Sequence, residues 1–312
     1  MIITTNDIAT ISSHLRQIHT PQSNSHKGQN GKVLVIGGSS LFHGAVLWAA
    51  EAASHIVDMV HVASTSENND IIKKIKTIWQ TGMVIAQHEI PQYVNEDNVI
   101  LIGNGMMRGK KIQVPNFPPK EKKWEEVLGT KEEGEFTREL VYYLITHFPD
   151  KQFVLDAGAL QMMDAKWLPL LHKQAIITPH QKEFQSLFDV DLSSLTLAEK
   201  EKLVAHTART YSCIILLKAV DDIISDGKKT LCIRGGNAGL TKGGTGDILA
   251  GLVSGMSATS DPYSSSVVAS FLLKKTAEGL FNLKGYWYTP KDLITLFPSL
   301  FHSLTKGSGS LT

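Results

Sequence analysis

A chain of 312 residues with 42% hydrophobic and 20% charged side chains can bury a large core without disulfide staples, which excludes a disordered chain, a collagen-like repeat and a disulfide-rich miniprotein. The 31 Lys+Arg against 30 Asp+Glu leave a formal net charge of +1, so the surface is not built to hold a nucleic acid, although a small phosphorylated ligand needs only a local site. No apolar run approaches the roughly 20 residues that cross a bilayer.

Residues 1–27 read as an N-terminal extension with a helix, without the cationic start and apolar stretch of a signal peptide, so the expected location is the cytoplasm. A single domain is expected over 28–305, with a flexible tail at 306–312. Apolar runs at 33–36, 59–63, 83–86, 99–102, 153–157 and 175–178 predict strands. They are continuously apolar rather than alternating, which suits a parallel sheet covered on both faces. Helical patterns lie between them at 44–57, 68–78, 137–147 and 195–210, and the alternation points to an α/β layered sheet with right-handed crossovers. The segment 108–135 carries seven Lys/Arg, six Glu and three prolines and reads as a solvated insertion. After residue 212 the runs 213–218, 222–226 and 230–234 stand too close for crossover helices, which predicts an antiparallel meander at one end of the sheet. Cys213 and Cys232 lie in these runs without CxxC spacing and read as buried, reduced thiols. Helices are expected at 246–258, 262–282 and 290–303.

Four segments can carry chemistry. Gly37-Gly38-Ser-Ser-Leu-Phe-His-Gly44-Ala45 joins a strand to an alanine-rich helix. Its glycines would let a ligand approach the backbone, but a purely structural turn fits as well, and neither GxGxxG nor GxxxxGK[ST] is present. Thr178-Pro-His180-Gln-Lys-Glu183 follows an apolar strand, at the sheet edge where open α/β folds bind ligands. Leu155-Asp156-Ala-Gly-Ala and Ile102-Gly-Asn-Gly-Met106 end strands on that same edge. Lys218 follows another strand and is either a solvated turn lysine or a point charge for a phosphate. Strongest is Asn237-Ala-Gly-Leu-Thr-Lys-Gly243-Gly244-Thr245-Gly246-Asp247 before a helix. Its successive N–H groups can form an anion-binding concavity reinforced by the helix dipole. Asp247 is then either a favourable first-turn carboxylate or the base that takes a proton from an attacking hydroxyl. The dipole is expected to keep it ionised.

Together and in this order, VLVIGGSSLFHGA, LDAGAL, ITPHQKEF, LLKAVDD and NAGLTKGGTGDILAGLVSGM resemble the NAD(P)H-hydrate dehydratase family, whose fold is ribokinase-like. The resemblance implies a three-layer α/β/α domain with a mostly parallel sheet. It implies a lyase that repairs hydrated NADH or NADPH in the S form: a nucleotide phosphorylates the added hydroxyl, phosphate is eliminated, and the reduced cofactor returns. ADP, giving AMP and phosphate, is the expected donor ahead of ATP, with Mg²⁺. Carried onto this chain, Asp247 is the base, and Gly243, Gly244, Thr245 and Gly246 form the anion hole. Lys218, Ala219, Val220, Asp221 and Asp222, with Thr245 and Gly246, bind the nucleotide. Ala45, Gly105, His180 and Asp247 contact the substrate, and Glu183 helps organise Mg²⁺ through water. A homo-oligomer such as a tetramer, and a separate epimerase acting on the same metabolite, are implied as well. The chain departs from the family in having Gln-Lys after His180 where Pro-Gly is usual, and Met-Met-Arg after Gly105. The competing readings are a vitamin or sugar kinase of the same fold and a catalytically idle nucleotide-binding protein.

Overall fold

The computed structural model describes residues 1–109 and 121–309. Among them a ten-stranded sheet forms from β1 (Ile2–Thr4), β2 (Lys32–Ile36), β3 (Met59–Ala63), β4 (Gly82–Ile85), β5 (Val99–Ile102), β6 (Gln152–Leu155), β7 (Ile176–Ile177), β8 (Ile214–Leu217), β9 (Asp221–Ser225) and β10 (Thr230–Arg234). Their order is β1-β10-β9-β8-β7-β6-β5-β2-β3-β4. Only the pairings of β9 with β8 and β10 are antiparallel, so β9 alone runs against the rest.

Helices α1 (Ile8–Leu15), α2 (Gly44–Ser54) and α3 (Ser66–Ile75) cover one face. The opposite face carries α4 (Ile90–Glu96), α5 (Trp124–Leu128), α6 (Glu133–His147), α7 (Ala157–Met162), α8 (Gln181–Phe188) and α9 (Leu197–Thr210). The last helices, α10 (Thr245–Ser257), α11 (Pro262–Lys284) and α12 (Pro290–Gly309), return to the first face. The continuously apolar strands are explained by this sandwiching. In β2, Val33 and Val35 point into one core while Leu34 and Ile36 point into the other, and all four are buried. The order of strand addition reverses between the parallel neighbours β2, which leads outward to β3, and β5, which leads outward to β6. A ligand crevice is expected at the carboxyl ends of such a strand pair.

Three expectations change. Residues 1–27 are part of the fold: β1 pairs in parallel with β10, Ile2 opposite Cys232, and α1 buries Ile11 and Leu15 in the core that α11 shares. Of the charged stretch 108–135, residues 110–120 lie outside the described residues. Part of the remainder is helical, because its glutamates serve as first-turn acids. The Glu132 carboxylate accepts the Glu135 N–H, so α6 starts at Glu133. In α5 Val127 is fully buried, and Trp124 lies 5.1 Å from Tyr143, centroid to centroid. At the C-terminus α12 continues through 306–309, and 310–312 lie outside the described residues.

Helix α10 lies tight against α2, whose Ala49, Ala50, Ala52 and Ala53 are all buried. A Cβ on Gly251 would fall on the Ala49 carbonyl oxygen. Gly251→Ala should therefore cost about 1–3 kcal/mol through overpacking, more than the roughly 1 kcal/mol that alanine gains over glycine in a helix. Thermal unfolding should begin at a lower temperature in the variant. An unchanged or raised midpoint would show that the two helices can slide apart freely.

Candidate active site

The carboxyl ends of β5, β6 and β8 meet the start of α10. Asn104 follows β5, Asp156 follows β6 and Lys218 follows β8, while Asp247 sits in the first turn of α10. The Asn104 Nδ2 donates to Asp156 Oδ2 at 2.9 Å and to Asp247 Oδ1 at 2.8 Å. Lys218 Nζ donates to the other Asp156 oxygen at 2.7 Å. One amide and one ammonium thus link two carboxylates drawn from distant parts of the chain. Ala157, immediately after Asp156, has φ +43, a strained value for a residue with a Cβ.

The glycine loop before α10 faces this network. Gly244 has φ +100, and a Cβ there would press on Trp48 and Pro290. Nothing lies within 4 Å of where a Gly243 Cβ would be, and Lys218 Nζ lies 3.5 Å from the corresponding point on Gly246. The leading N–H groups of the helix have no helical acceptor, so an anion here would meet them and the Lys218 ammonium together. The Thr245 hydroxyl is already used: it donates to Leu240 O at 2.7 Å and to Lys242 O at 3.0 Å, shaping the loop.

The Asp247 carboxyl is pushed up to about 6, by burial first and by the Asp156 charge second, against the opposing pull of Asn104 and Lys218. The carboxylate thus stays largely ionised at neutral pH, as expected from the helix start, but with its pKa raised, by burial more than by the like charge on the neighbouring strand end. Burial works to lower the Lys218 ammonium, but Asp156, Glu183 and Asp247 outweigh it and raise its pKa. Lys218 is therefore not a solvated turn lysine; its side chain is 20% exposed.

The residues nominated from sequence divide into groups. Ala45, Gly105 and Asp247 line one cavity of about 290 Å³, with Phe42, Arg108 and Gln161. Gly105 has φ +71, and a Cβ on it would touch Ala45 at 2.8 Å, so glycine keeps this wall open. His180 is not part of that lining. Its Nδ1 accepts the Glu183 N–H at 3.1 Å as the cap of α8, and Lys218 N donates to the adjacent Pro179 O at 2.8 Å. Glu183 is buried; its carboxylate accepts the His180 N–H at 2.9 Å and the Gln161 amide at 2.9 Å.

Asp222 does not face a ligand. Strand alternation turns it inward, where it accepts from Ser270 Oγ at 2.7 Å and pairs with Lys274 at 3.4 Å. Lys274 Nζ also binds the carbonyls of Ala219 and Val220, while Asp221 pairs with Arg234 at 2.7 Å. Val220 is 88% exposed.

Asn104 and Asp156 were not singled out by sequence reasoning. The available signal was a polar residue one or two positions after an apolar strand, beside glycine or alanine, in segments already placed at the ligand-binding edge. For Mg²⁺, no group of three or more His, Cys, Asp or Glu side chains gathers among the described residues. Glu183 is a second carboxylate near Lys218, after Asp156, and both of its oxygens already accept a hydrogen bond. An ion arriving with a nucleotide would therefore draw its oxygens mainly from phosphate and water.

A family model described as NAD(P)H-hydrate dehydratase matches residues 33–299. The chain is similar to the ADP-dependent (S)-NAD(P)H-hydrate dehydratase of Nitrosopumilus maritimus, 30% identical over 283 residues, covering 89% of this chain and 90% of that one. It is also similar to the bifunctional NAD(P)H-hydrate repair enzyme of Methanocaldococcus jannaschii, 30% identical over 291 residues, covering 92% of this chain and 51% of that one. The chain thus spans about half the length of that relative. Among solved structures, an ADP/ATP-dependent NAD(P)H-hydrate dehydratase from Bacillus subtilis, co-crystallized with ATP/Mg²⁺, matches with a TM-score of 0.72 at 21% identity, over 94% of this chain and 97% of that one. A ribokinase-like superfamily protein from Enterococcus faecalis matches with a TM-score of 0.73 at 21% identity, over 97% and 95%. These likenesses make the fold ribokinase-like.

A raised Asp247 pKa has a consequence for stability. Between about pH 4 and pH 6 the folded protein holds a proton that the unfolded chain has lost, so stability falls as pH rises through that window. Above it the cost is fully present, up to about 3 kcal/mol for a shift of roughly two units. Asp247→Asn removes the charge and should raise the unfolding temperature at neutral pH but not near pH 4. A variant destabilised equally at both pH values would contradict this.

Proposed function

The chain belongs to the NAD(P)H-hydrate dehydratase family, and from that premise we propose that it restores NADH or NADPH from the hydrated S form at the expense of a nucleoside polyphosphate. The observation that carries the reading is Asp247, a carboxylate lining a cavity at the mouth of an anion-binding helix start, with Lys218 beside it. ADP is the proposed donor, because relatives matched along nearly their whole length, that of Nitrosopumilus maritimus among them, are named as ADP-dependent enzymes.

In this reading the substrate hydroxyl lies in the cavity bounded by Ala45, Gly105 and Asp247. Asp247 takes its proton as the hydroxyl oxygen bonds to the terminal phosphorus of the nucleotide. The bond from that phosphorus to the bridging oxygen breaks, and AMP leaves when ADP is the donor. The N–H groups of Gly243, Gly244 and Gly246 stabilise charge on the transferred group as it moves, whereas the Thr245 N–H, expected to join them, already donates to Lys242 O at 3.3 Å. Lys218 adds a point charge, held in place by Asp156. The carbon–oxygen bond to the new phosphate then breaks, the neighbouring carbon loses a proton, and the ring double bond is restored. Mg²⁺, when bound with the nucleotide, supplies charge neutralisation on its phosphates; Glu183 would hold its water shell. Epimerisation of the other hydrate is assigned to a separate protein, and a homo-oligomer is part of the same proposal.

The test is to incubate the protein with hydrated NADH, Mg²⁺ and either ADP or ATP, and to follow recovery of reduced-nicotinamide absorbance together with AMP and phosphate. Asp247→Asn should lower turnover by roughly 10²–10⁴, the usual contribution of a general base. In the parent, kcat/KM should fall as pH drops through about 6, where Asp247 gains its proton. Accumulation of a phosphorylated product without cofactor recovery would replace the dehydratase by a kinase.

A further inference from the structure

We propose that Asn104 is the positioning residue for the base: its side-chain amide, bridging Asp156 and Asp247, aims the Asp247 carboxylate at the cavity and keeps it available to accept a proton. The assignment of Asp247 as base rests on the function proposed above; the bridge itself does not.

The backbone is shaped for the purpose. Gly103 has φ +124 and Gly105 has φ +71, so Asn104 stands between two residues in conformations that favour glycine. A Cβ on Gly103 would fall on the Asp156 carbonyl oxygen, and one on Gly105 would crowd Ala45. The Asn104 carbonyl accepts the Gly38 N–H at 2.7 Å, which ties this turn to the loop after β2. The side chain is completely buried, and its two amide hydrogens go to two carboxylates. Its orientation follows from chemistry, because an amide oxygen facing two carboxylates would be repelled. The Asn104 Oδ1 has no hydrogen-bond partner among the described residues. A buried acceptor left unsatisfied is unfavourable, and the two bonds to charged oxygens outweigh it. A residue needed only to fill space would not leave that orphan.

The charges facing Asp247 are few. Asp156 comes from the end of β6 and Lys218 from the end of β8, Arg108 stands across the cavity, and Glu183 of α8 faces Lys218. Helix α2 contributes Ala45 to this lining. Asp156 works to protonate Asp247, whereas Asn104 and Lys218 work to ionise it. Removing the amide and removing the Asp156 charge should therefore act in opposite directions.

The experiment uses the full chain and two readouts: the titration of the Asp247 carboxyl carbon by NMR without substrate, and the pH profile of kcat/KM. Asn104→Ala should move the Asp247 titration and the acidic limb upward by about one to two pH units, the worth of a hydrogen bond to a charged group. Turnover above the displaced limb should stay below that of the parent, because the released carboxylate is no longer held toward the cavity. Asp156→Asn should move both readouts downward. Asn104→Ser, which keeps one donor, should fall between parent and alanine, and it carries the test if the alanine variant does not fold. An Asp247 titration that stays at the parent pH in the Asn104 variants, with only the plateau lowered, would overturn the proposal. If the titration moves as expected but hydrated NADH is not turned over, the bridge stands and the proposed function fails.

Discussion

One amide nitrogen bonds both Asp156 and Asp247, so the two carboxylates lie within about 6 Å of each other at a largely buried strand edge. At an effective dielectric near 20 their repulsion is on the order of 3 kcal/mol, and the site is organised around that cost. Asp156 is neutralised by Lys218, so its charge is spent in a buried pair. Asp247 has no ion pair of its own, and burial first, with the Asp156 charge second, raises its pKa. The result is a division of labour between two chemically identical groups, one fixed in an ion pair and one poised to exchange a proton near neutral pH.

The geometry of the sheet decides which residue types can do this. Asn104 and Asp156 end neighbouring strands, β5 and β6, about 4.8 Å apart, and a short side chain spans that gap. Lys218 ends β8, two strands from β6, with β7 between. Only a long side chain reaches back across that distance, which accounts for a lysine here. The loop before α10 completes the arrangement from above, and the close fit of α10 on α2 at Gly251 and Ala49 fixes its height over the strand ends. A change at that helix contact would therefore be felt at Asp247, although neither residue approaches the cavity.

Much of the fold was legible because it rests on local pattern. Unbroken apolar runs marked the strands of a doubly covered sheet, and the short gaps after residue 212 marked the reversal at β9. The glycine loop and Asp247 were legible because backbone freedom beside a helix start has few other uses. What escaped depended on pairing between distant segments. Asn104 and Asp156 take their meaning from β5 lying beside β6, which no window of sequence displays. The raised Asp247 pKa escaped for the same reason, since the helix start could be seen while the burial and the neighbouring charge could not. Asp222 looked like a ligand contact within LLKAVDD until α11 supplied Lys274 and Ser270 to its inner face. The glutamates near 132–135 looked solvated, yet two of them begin a helix and one caps it.

The parallel pairing of β1 with β10 has a consequence for how the chain is made. Residues 2–4 leave the ribosome long before residues 232–234, their only partners in the sheet. Until then the short strand has nowhere to dock, and once β10 forms, its outer edge lies open until β1 arrives. Open edges invite pairing with other chains, and contacts so far apart in sequence form slowly. The interval between synthesis of β10 and capture of β1 is thus the stage of biogenesis at which nascent molecules are most exposed to association with one another, and bulky additions ahead of Ile2 would lengthen it.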